Sequence, residues 1–248
     1  AGLAASLYMR GIAWQAWPST LLSMADAGLG GKTACDLEAG KNLVGAFHAP
    51  VKLVACTSLL GSLPPRHLEN GRWELVKTAL LLNDLAWAED LLKTSGPRTT
   101  WIERALAFKA GVVHRDPEEH GERGLLNLGH TLGHALESAS GYRLLHGEAV
   151  GLGLLAACYL AEAQGLKPFP DKLLGALMEP LAPLAAQVAP WEALRPWLLR
   201  DKKAAQGTIA CVLPRPDAPA LIRPLPADVW AEPARLLKDR LLTGSLRG

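Results

Sequence analysis

The side chains best suited to chemistry gather in one stretch, Asn127-Leu-Gly-His-Thr-Leu-Gly-His134, followed by Glu137 and by Leu145-His-Gly-Glu148. His130 and His134 are four positions apart, one helical turn, a spacing that presents two imidazoles to one metal ion or one anion. Such a pair alone is more often structural. A third imidazole, His146, follows the turn Ser140-Gly-Tyr142, and a chain that reverses there can return it to the pair. Spacing leaves open which imidazoles would act as ligands.

Read as a helix from about residue 122, the stretch carries two stripes. Leu125, Leu128, Leu132 and Ala135 form an apolar seam, and Arg123, Asn127, His130 and His134 form a second face. Gly129 and Gly133 thin that helix at a cost of about 1 kcal/mol each against alanine, which predicts a close approach to its backbone. Elsewhere, Glu74 and Lys77 stand three apart on one predicted helix face. Imidazoles with one carboxylate suit an open, catalytic zinc-type site, whereas structural zinc sites favour cysteines. Lys32, Lys109, Arg123, Asn42 and Asp26 complete the unusual polar set. Basic groups around a Lewis acid suit a substrate with several negative charges, such as a sugar acid phosphate.

The composition bounds the class. The 248 residues are 49% hydrophobic and 20% charged with net charge +2, as expected of a soluble globular chain with one large or two modest domains. Basic residues are scattered, which gives no reason to expect nucleic acid. Cys35, Cys56, Cys158 and Cys211 form no CxxC pair, so a reducing, cytoplasmic setting is expected. The apolar run 149–161 is too short to span a bilayer, and Arg10 falls on the wrong side of the apolar N-terminus for a signal peptide.

Several elements must position these groups. A small-residue helix is expected over 1–9, a short strand over 12–17, and a helix capped by Ser19 after Pro18. Gly28-Leu-Gly-Gly-Lys-Thr33 looks like the end of a phosphate loop, but Asp26 occupies the upstream glycine position. A backbone-amide nest beside Lys32 or a plain glycine turn remain as readings. A second loop is expected over 40–50, with Lys41 and Asn42, then a buried strand over 51–55. Long helices follow over 66–93 and 99–113, the latter with the capping box Thr100-Trp-Ile-Glu103, and an apolar helix runs over 148–164. Pro180, Pro183, Pro190 and Pro196 should break the later helices. A hairpin of 207–213 with 220–223 and a final helix over 236–242 end the chain. The domain boundary is expected near 56–62, giving 1–57 and 58–248.

These strings, in order and spacing, resemble 3-dehydroquinate synthase. The resemblance rests on Pro18-Ser-Thr-Leu-Leu22, Gly30-Gly-Lys-Thr33, Gly40-Lys-Asn42, Leu63-Pro64, Glu74-Leu-Val-Lys77, the histidine stretch, His146-Gly-Glu148 and Asp201-Lys-Lys203. It implies part of a Rossmann-like α/β nucleotide-binding domain followed by a mainly α-helical metal- and substrate-binding domain. It implies conversion of 3-deoxy-D-arabino-heptulosonate 7-phosphate to 3-dehydroquinate and phosphate, in the shikimate route to aromatic amino acids. NAD and a divalent metal, zinc or cobalt, would be the cofactors, with transient oxidation, phosphate loss, re-reduction and aldol closure.

By the same resemblance the metal ligands fall on Glu74, His130 and His146. Lys32, Asn42, Asn127, His134 and Lys203 (or Lys202) would line the phosphate end. Lys109 and Arg123 would face the carboxylate. Asp26, Lys77 and Glu119 would meet hydroxyls near the metal, and Arg10 would reach a neighbouring subunit in a homodimer. Ser19, Thr20, Lys32, Lys41, Thr57 and Leu60 would serve the nucleotide.

Some positions depart from the pattern. Cys56 stands where the family usually has aspartate, and Arg72-Trp73 replaces a small pair before Glu74. The opening Ala1-Gly-Leu-Ala-Ala5 matches the helix after the family's nucleotide-binding turn. A preceding segment with the pyrophosphate site is therefore expected, and the chain from Ala1 alone is expected to be inactive. Other sugar-phosphate cyclases, 2-epi-5-epi-valiolone or 2-deoxy-scyllo-inosose synthase, are alternatives, as are a metal-dependent polyol dehydrogenase and a degenerate interaction domain.

Overall fold

The structure is a computed structural model that describes residues 1–37, 40–200 and 208–246. The chain divides into two compact units, one of residues 1–71 with 96–123, the other of 72–95 with 124–248. The division falls inside one long helix, later than the expected 56–62, and residues 96–123 return to the first unit. Packing explains the return. The helix over 99–115 lies on the turn that holds Asp26, so its partners are N-terminal ones.

In the first unit, α1 (Gly2–Leu7) leads to β1 (Gln15–Ala16), which pairs in parallel with β4 (Lys52–Leu53). The expected buried strand over 51–55 is thus a two-residue ladder, and Val51 is 69% exposed. With a single ladder partner, it has no sheet face to bury. The expected loop over 40–50 is largely a strand. β2 (Lys32–Leu37) and β3 (Gly40–Phe47) pair antiparallel, with a register shift between Cys35 and Leu37. Thr20, rather than Ser19, caps the next helical turn, since its Oγ1 accepts from the Ser23 N–H at 3.2 Å. That turn widens into a π-helical segment, Ser23–Ala27, that carries Asp26. The unit is completed by a 3-10 segment, Thr57–Ser62, the first residues of α2 (Pro65–Leu81), and α4 (Thr99–Arg115). α4 begins one residue before Thr100, after Arg98, so Thr100 lies inside the first turn and the expected capping box does not form.

The second unit is helical. α2 continues through Trp73, Glu74, Leu75, Val76, Lys77, Thr78, Ala79 and Leu80, every one buried. α3 (Leu85–Lys93) follows a break at Asn83, φ +56°, and is capped by Asp84, whose carboxylate accepts from the Trp87 N–H at 2.9 Å. The centre is α5 (His130–Ala139) against α6 (His146–Ala163). α6 is buried along its length from Gly147 to Ala161, as a helix apolar on all sides must be. α7 (Asp171–Leu181), α8 (Trp191–Arg200) and α9 (Ala231–Thr243) pack around this pair, beside the antiparallel ladder of β5 (Thr208–Leu213) with β6 (Leu221–Pro226). Pro180 and Pro196 sit inside α7 and α8 instead of ending them. The buried Leu194 and Leu198 on either side of Pro196 hold α8 through the lost backbone bond. Among the described residues no single helix is long and apolar enough to cross a membrane.

Candidate active site

α5 starts at His130, eight residues later than the sequence pattern suggests. Residues Glu122–Asn127 form a 3-10 segment, and Gly129 takes φ +78°, a left-handed conformation that ends it. The apolar seam survives: Leu128, Leu132 and Ala135 are buried against the core. The polar stripe becomes His130, His134 and Glu137, spaced by four and three.

The close approach foreseen at the glycines is that of α6. A Cβ on Gly133 would lie 2.9 Å from the Ala149 carbonyl oxygen, and one on Gly153 only 1.9 Å from that of Gly129. Backbone contact between α5 and α6, not a ligand, accounts for these positions. His146 is the first residue of α6. Its turn is pinned by Glu148, whose Oε2 accepts from the Leu145 N–H at 2.8 Å, and so the Glu of His-Gly-Glu serves as a cap.

Glu74, on α2, meets both histidines. Its Oε1 is 3.6 Å from His130 Nε2 and 3.3 Å from His146 Nε2, and its Oε2 is 2.5 Å from Lys77 Nζ. One ligand atom from each of Glu74, His130 and His146 lies within 4.8 Å of the others. The three imidazoles are neighbours: ring centroids of His130 and His146 are 5.1 Å apart, and that of His134 lies 5.2 and 6.0 Å from them. His134 is exposed, while His130 is buried.

The charges follow from this packing. Burial opposes ionisation of Glu74, yet Lys77, His146 and His130 outweigh it and hold the carboxyl well below its usual range. Burial, with Lys77 adding to it, pushes the His130 imidazole down to about 3. His146 also meets a burial penalty, but Glu137 and Glu74 overcome it and raise the imidazole to about 9.

Among the described residues, neither oxygen of Glu74 has a hydrogen-bond partner of acceptable geometry, although both are buried. Oε2 has Lys77 as its ion-pair partner, whereas Oε1 faces only the two imidazoles, and a buried acceptor left without a hydrogen bond is costly. A cation between one carboxylate oxygen and two imidazole nitrogens would satisfy all three donors at once, and the donor set fits zinc or cobalt. His130 also has its other nitrogen held, with Nδ1 3.1 Å from the Leu128 carbonyl oxygen.

In the first unit Lys109, Arg123 and Lys32 are each held by acceptors. Lys109 Nζ donates to the Asp26 carbonyl oxygen at 2.5 Å and to its Oδ1 at 2.8 Å. Arg123 is 2% exposed, and its guanidinium donates to the carbonyl oxygens of Gly30, at 2.7 Å, and of Pro117. Carbonyls orient the guanidinium without cancelling its charge. Gly30 has φ +115°, and a Cβ there would come within 2.6 Å of Arg123 Nη2, so this glycine makes room for the cation. Lys32 pairs with Glu119.

Sequence reasoning missed Asp116. Its carboxylate accepts from the backbone N–H of His120, Gly121 and Arg123 at 2.9, 2.8 and 2.9 Å, closing the loop that carries Glu119 and leads into Arg123. The available signal was an aspartate just past the end of α4, where Asx turns form.

Each remaining expected residue has its own local setting. Asn127 donates to the Gly124 carbonyl oxygen at 3.1 Å, and Asn42 is exposed with φ +53°, its N–H bonded to Asp36 Oδ1. Arg10 is exposed with φ +66°. Ser19 is exposed, and Thr57 Oγ1 lies 3.4 Å from Thr99 Oγ1. Leu60 is buried. Lys202, Lys203 and the side chain of Lys41 lie outside the described residues.

Comparison with known proteins gives a consistent family. The family described as 3-dehydroquinate synthase N-terminal matches residues 1–70, and that described as 3-dehydroquinate synthase C-terminal matches residues 71–204. Curated relatives named 3-dehydroquinate synthase include one from Methylacidiphilum infernorum, 41% identical over 86% of this chain and 61% of its own length. Another, from Rhodopseudomonas palustris, is 36% identical over 99% of this chain and 68% of its own. The chain thus spans roughly two thirds of the length of these relatives. Among solved structures, a 2-epi-5-epi-valiolone synthase from Streptomyces hygroscopicus with NAD+ and Zn2+ bound matches with TM-score 0.80 and 29% identity, covering 96% of this chain and 70% of the other. A 2-deoxy-scyllo-inosose synthase complexed with carbaglucose-6-phosphate, NAD+ and Co2+ matches with TM-score 0.79 and 29% identity, covering 94% and 69%.

Proposed function

This chain belongs to the 3-dehydroquinate synthase family, and from that premise we propose that the protein converts 3-deoxy-D-arabino-heptulosonate 7-phosphate to 3-dehydroquinate and phosphate. The observation that carries the reading is the convergence of Glu74 with His130 and His146 around a carboxylate that has no hydrogen-bond partner among the described residues. When bound, a divalent ion supplies Lewis acidity at a substrate hydroxyl, and NAD+ supplies a reversible hydride acceptor.

The chain's own residues do the rest. Glu74, His130 and His146 would hold the ion, and Lys77, pressed on the same carboxylate, keeps Glu74 ionised. His134, exposed beside that cluster, is assigned to substrate with Asn127. Lys109 and Arg123 are assigned to the carboxylate, oriented by Asp26 and by the Gly30 and Pro117 carbonyls. Such fixed cations stabilise developing charge without reorganising when it forms. Lys32, Asn42 and Lys203 are assigned to phosphate, and Asp26, Lys77 and Glu119 to hydroxyls. Ser19, Thr20, Lys32, Lys41 and Thr57 remain assigned to the nucleotide. The exposed Ser19 and Lys32 suit that task, whereas the buried Leu60 would contribute only through its backbone.

The exposed Arg10 supports a homodimer in which it reaches a partner's phosphate pocket. The scattered basic residues and near-neutral charge support a small-molecule substrate over nucleic acid or membrane, and unpaired cysteines support a cytoplasmic setting.

The test is phosphate release by the full-length protein with NAD+ and Zn2+ or Co2+. Release from 3-deoxy-D-arabino-heptulosonate 7-phosphate without net NADH is the expected result. Release from sedoheptulose 7-phosphate instead would identify another cyclase, and net NADH would identify a polyol dehydrogenase.

A further inference from the structure

His146 has two ring nitrogens, and they face two different carboxylates. Nε2 is 3.3 Å from Glu74 Oε1, whereas Nδ1 is 3.8 Å from Glu137 Oε2. Glu137 is 6% exposed and sits seven residues after His130 on α5, two turns along the same stripe. His130 is arranged in parallel, with Nε2 toward Glu74 and Nδ1 toward the Leu128 carbonyl oxygen. Each imidazole thus turns the same nitrogen to the shared carboxylate and has an acceptor behind the other.

From this geometry we infer that Glu137 is a positioning residue that, in the neutral ring a metal requires, keeps the proton of His146 on Nδ1 and so presents Nε2, with its lone pair, as the metal ligand. A neutral imidazole is a donor at one nitrogen and an acceptor at the other, and the partner behind the ring decides which. His130 obtains its orientation from a neighbour in its own chain turn. His146, at the start of α6, has a side chain 28% exposed and takes its orientation from another helix. A carboxylate behind the ring also makes the imidazole a better electron donor to a cation, which a backbone carbonyl does less strongly.

The inference rests on the metal-centre reading above, and its test separates the two. Zinc affinity is measured by competition with a chromophoric chelator for the wild-type chain and for Glu137→Ala, Glu137→Gln and His146→Ala. The d–d absorption spectrum is recorded after cobalt loading. Glu137→Ala is expected to bind zinc about ten- to a hundred-fold more weakly with an altered cobalt spectrum. Glu137→Gln, whose amide oxygen can face Nδ1–H as an acceptor in the same place, is expected to stay within about three-fold of wild type. Unchanged affinity in Glu137→Ala, or a loss in Glu137→Gln as large as in Glu137→Ala, overturns the role of Glu137. A wild-type chain that binds no zinc, or a His146→Ala variant that binds normally, overturns the metal centre itself. If Glu137→Ala does not fold, nitrogen-15 NMR of the zinc-loaded wild type decides directly. A proton on His146 Nδ1 supports the inference, and metal on Nδ1 sinks it.

Discussion

Gly153 on α6 lies against the carbonyl oxygen of Gly129, so close that a Cβ at position 153 would fall 1.9 Å from that oxygen. No side-chain rotation relieves such a clash, because both groups are backbone. Gly153→Ala must therefore push α5 away from α6. His130 and His146 stand on those two helices, so the same shift separates the proposed ligands. We expect a loss of about 3 kcal/mol or more in urea unfolding, with weakened zinc binding. Gly61→Ala, with nothing within 4 Å of its Cβ, is the control and should stay within about 0.5 kcal/mol. Equal stability of the two variants would refute the packing account.

Glu74 and Lys77 form a buried pair, with side chains 1% and 2% exposed. Glu74→Gln keeps the shape but removes the charge that faces Lys77 and the histidines. Breaking a buried pair from one side costs about 3–5 kcal/mol, so the variant should unfold at markedly lower denaturant and hold no zinc. Adding Lys77→Met should recover much of the stability and none of the metal. A double variant that regained zinc would show that Glu74 is not a ligand.

Asp116 offers a pH test. The backbone N–H of Arg123 and of His120, opposed by partial burial and helped by Gly121, holds its carboxyl below the usual range. The folded carboxylate thus releases its proton more readily than the unfolded one. Its support for the loop is complete above the ordinary aspartate value and fades as pH falls through the lowered folded value. A carbon-13 titration of the Asp116 carboxyl should show a midpoint below about 3.9. In Asp116→Ala the amides of His120, Gly121 and Arg123 should exchange faster at neutral pH. Unchanged exchange would mean that the loop closes without this carboxylate.

These sites differ in how far sequence alone reveals them, and the reason is physical. The histidine stretch and Glu74-Leu-Val-Lys77 were legible because helical spacing puts three- and four-residue neighbours on one face. The start of α5 was not, since nothing local marks Gly129 as left-handed until α6 packs against it. Glycines 129 and 133 signalled close approach correctly, but spacing could not say whether a ligand or a helix approached. β2 and β3 escaped notice because Gly40 and Gly45 read as loop residues, while Gly45 is required by the facing strand. Glu137 stands in the same stretch, but spacing assigns it no role, because its meaning depends on His146 arriving from the next helix.

Cysteine reactivity should divide the four thiols in two. Cys35 is exposed and Cys56 half-buried, whereas Cys158 and Cys211 are buried. Native alkylation followed by mass mapping should modify Cys35 and Cys56 first, with Cys158 and Cys211 protected until the chain unfolds. Burial on α6 pushes the Cys158 thiol from 9.0 up to about 12. Between those values the unfolded chain releases a proton that the folded chain retains. The stability associated with this thiol is thus intact below 9.0 and declines as pH climbs toward about 12, by at most about 1.4 kcal/mol per pH unit. Comparing the pH dependence of urea unfolding in the wild type and in Cys158→Ala isolates that contribution, because Tyr159, also raised by burial, is common to both. The variant should lose less stability per unit over that window. Parallel slopes, or early labelling of Cys158 in the folded chain, would show that the α6 core admits water.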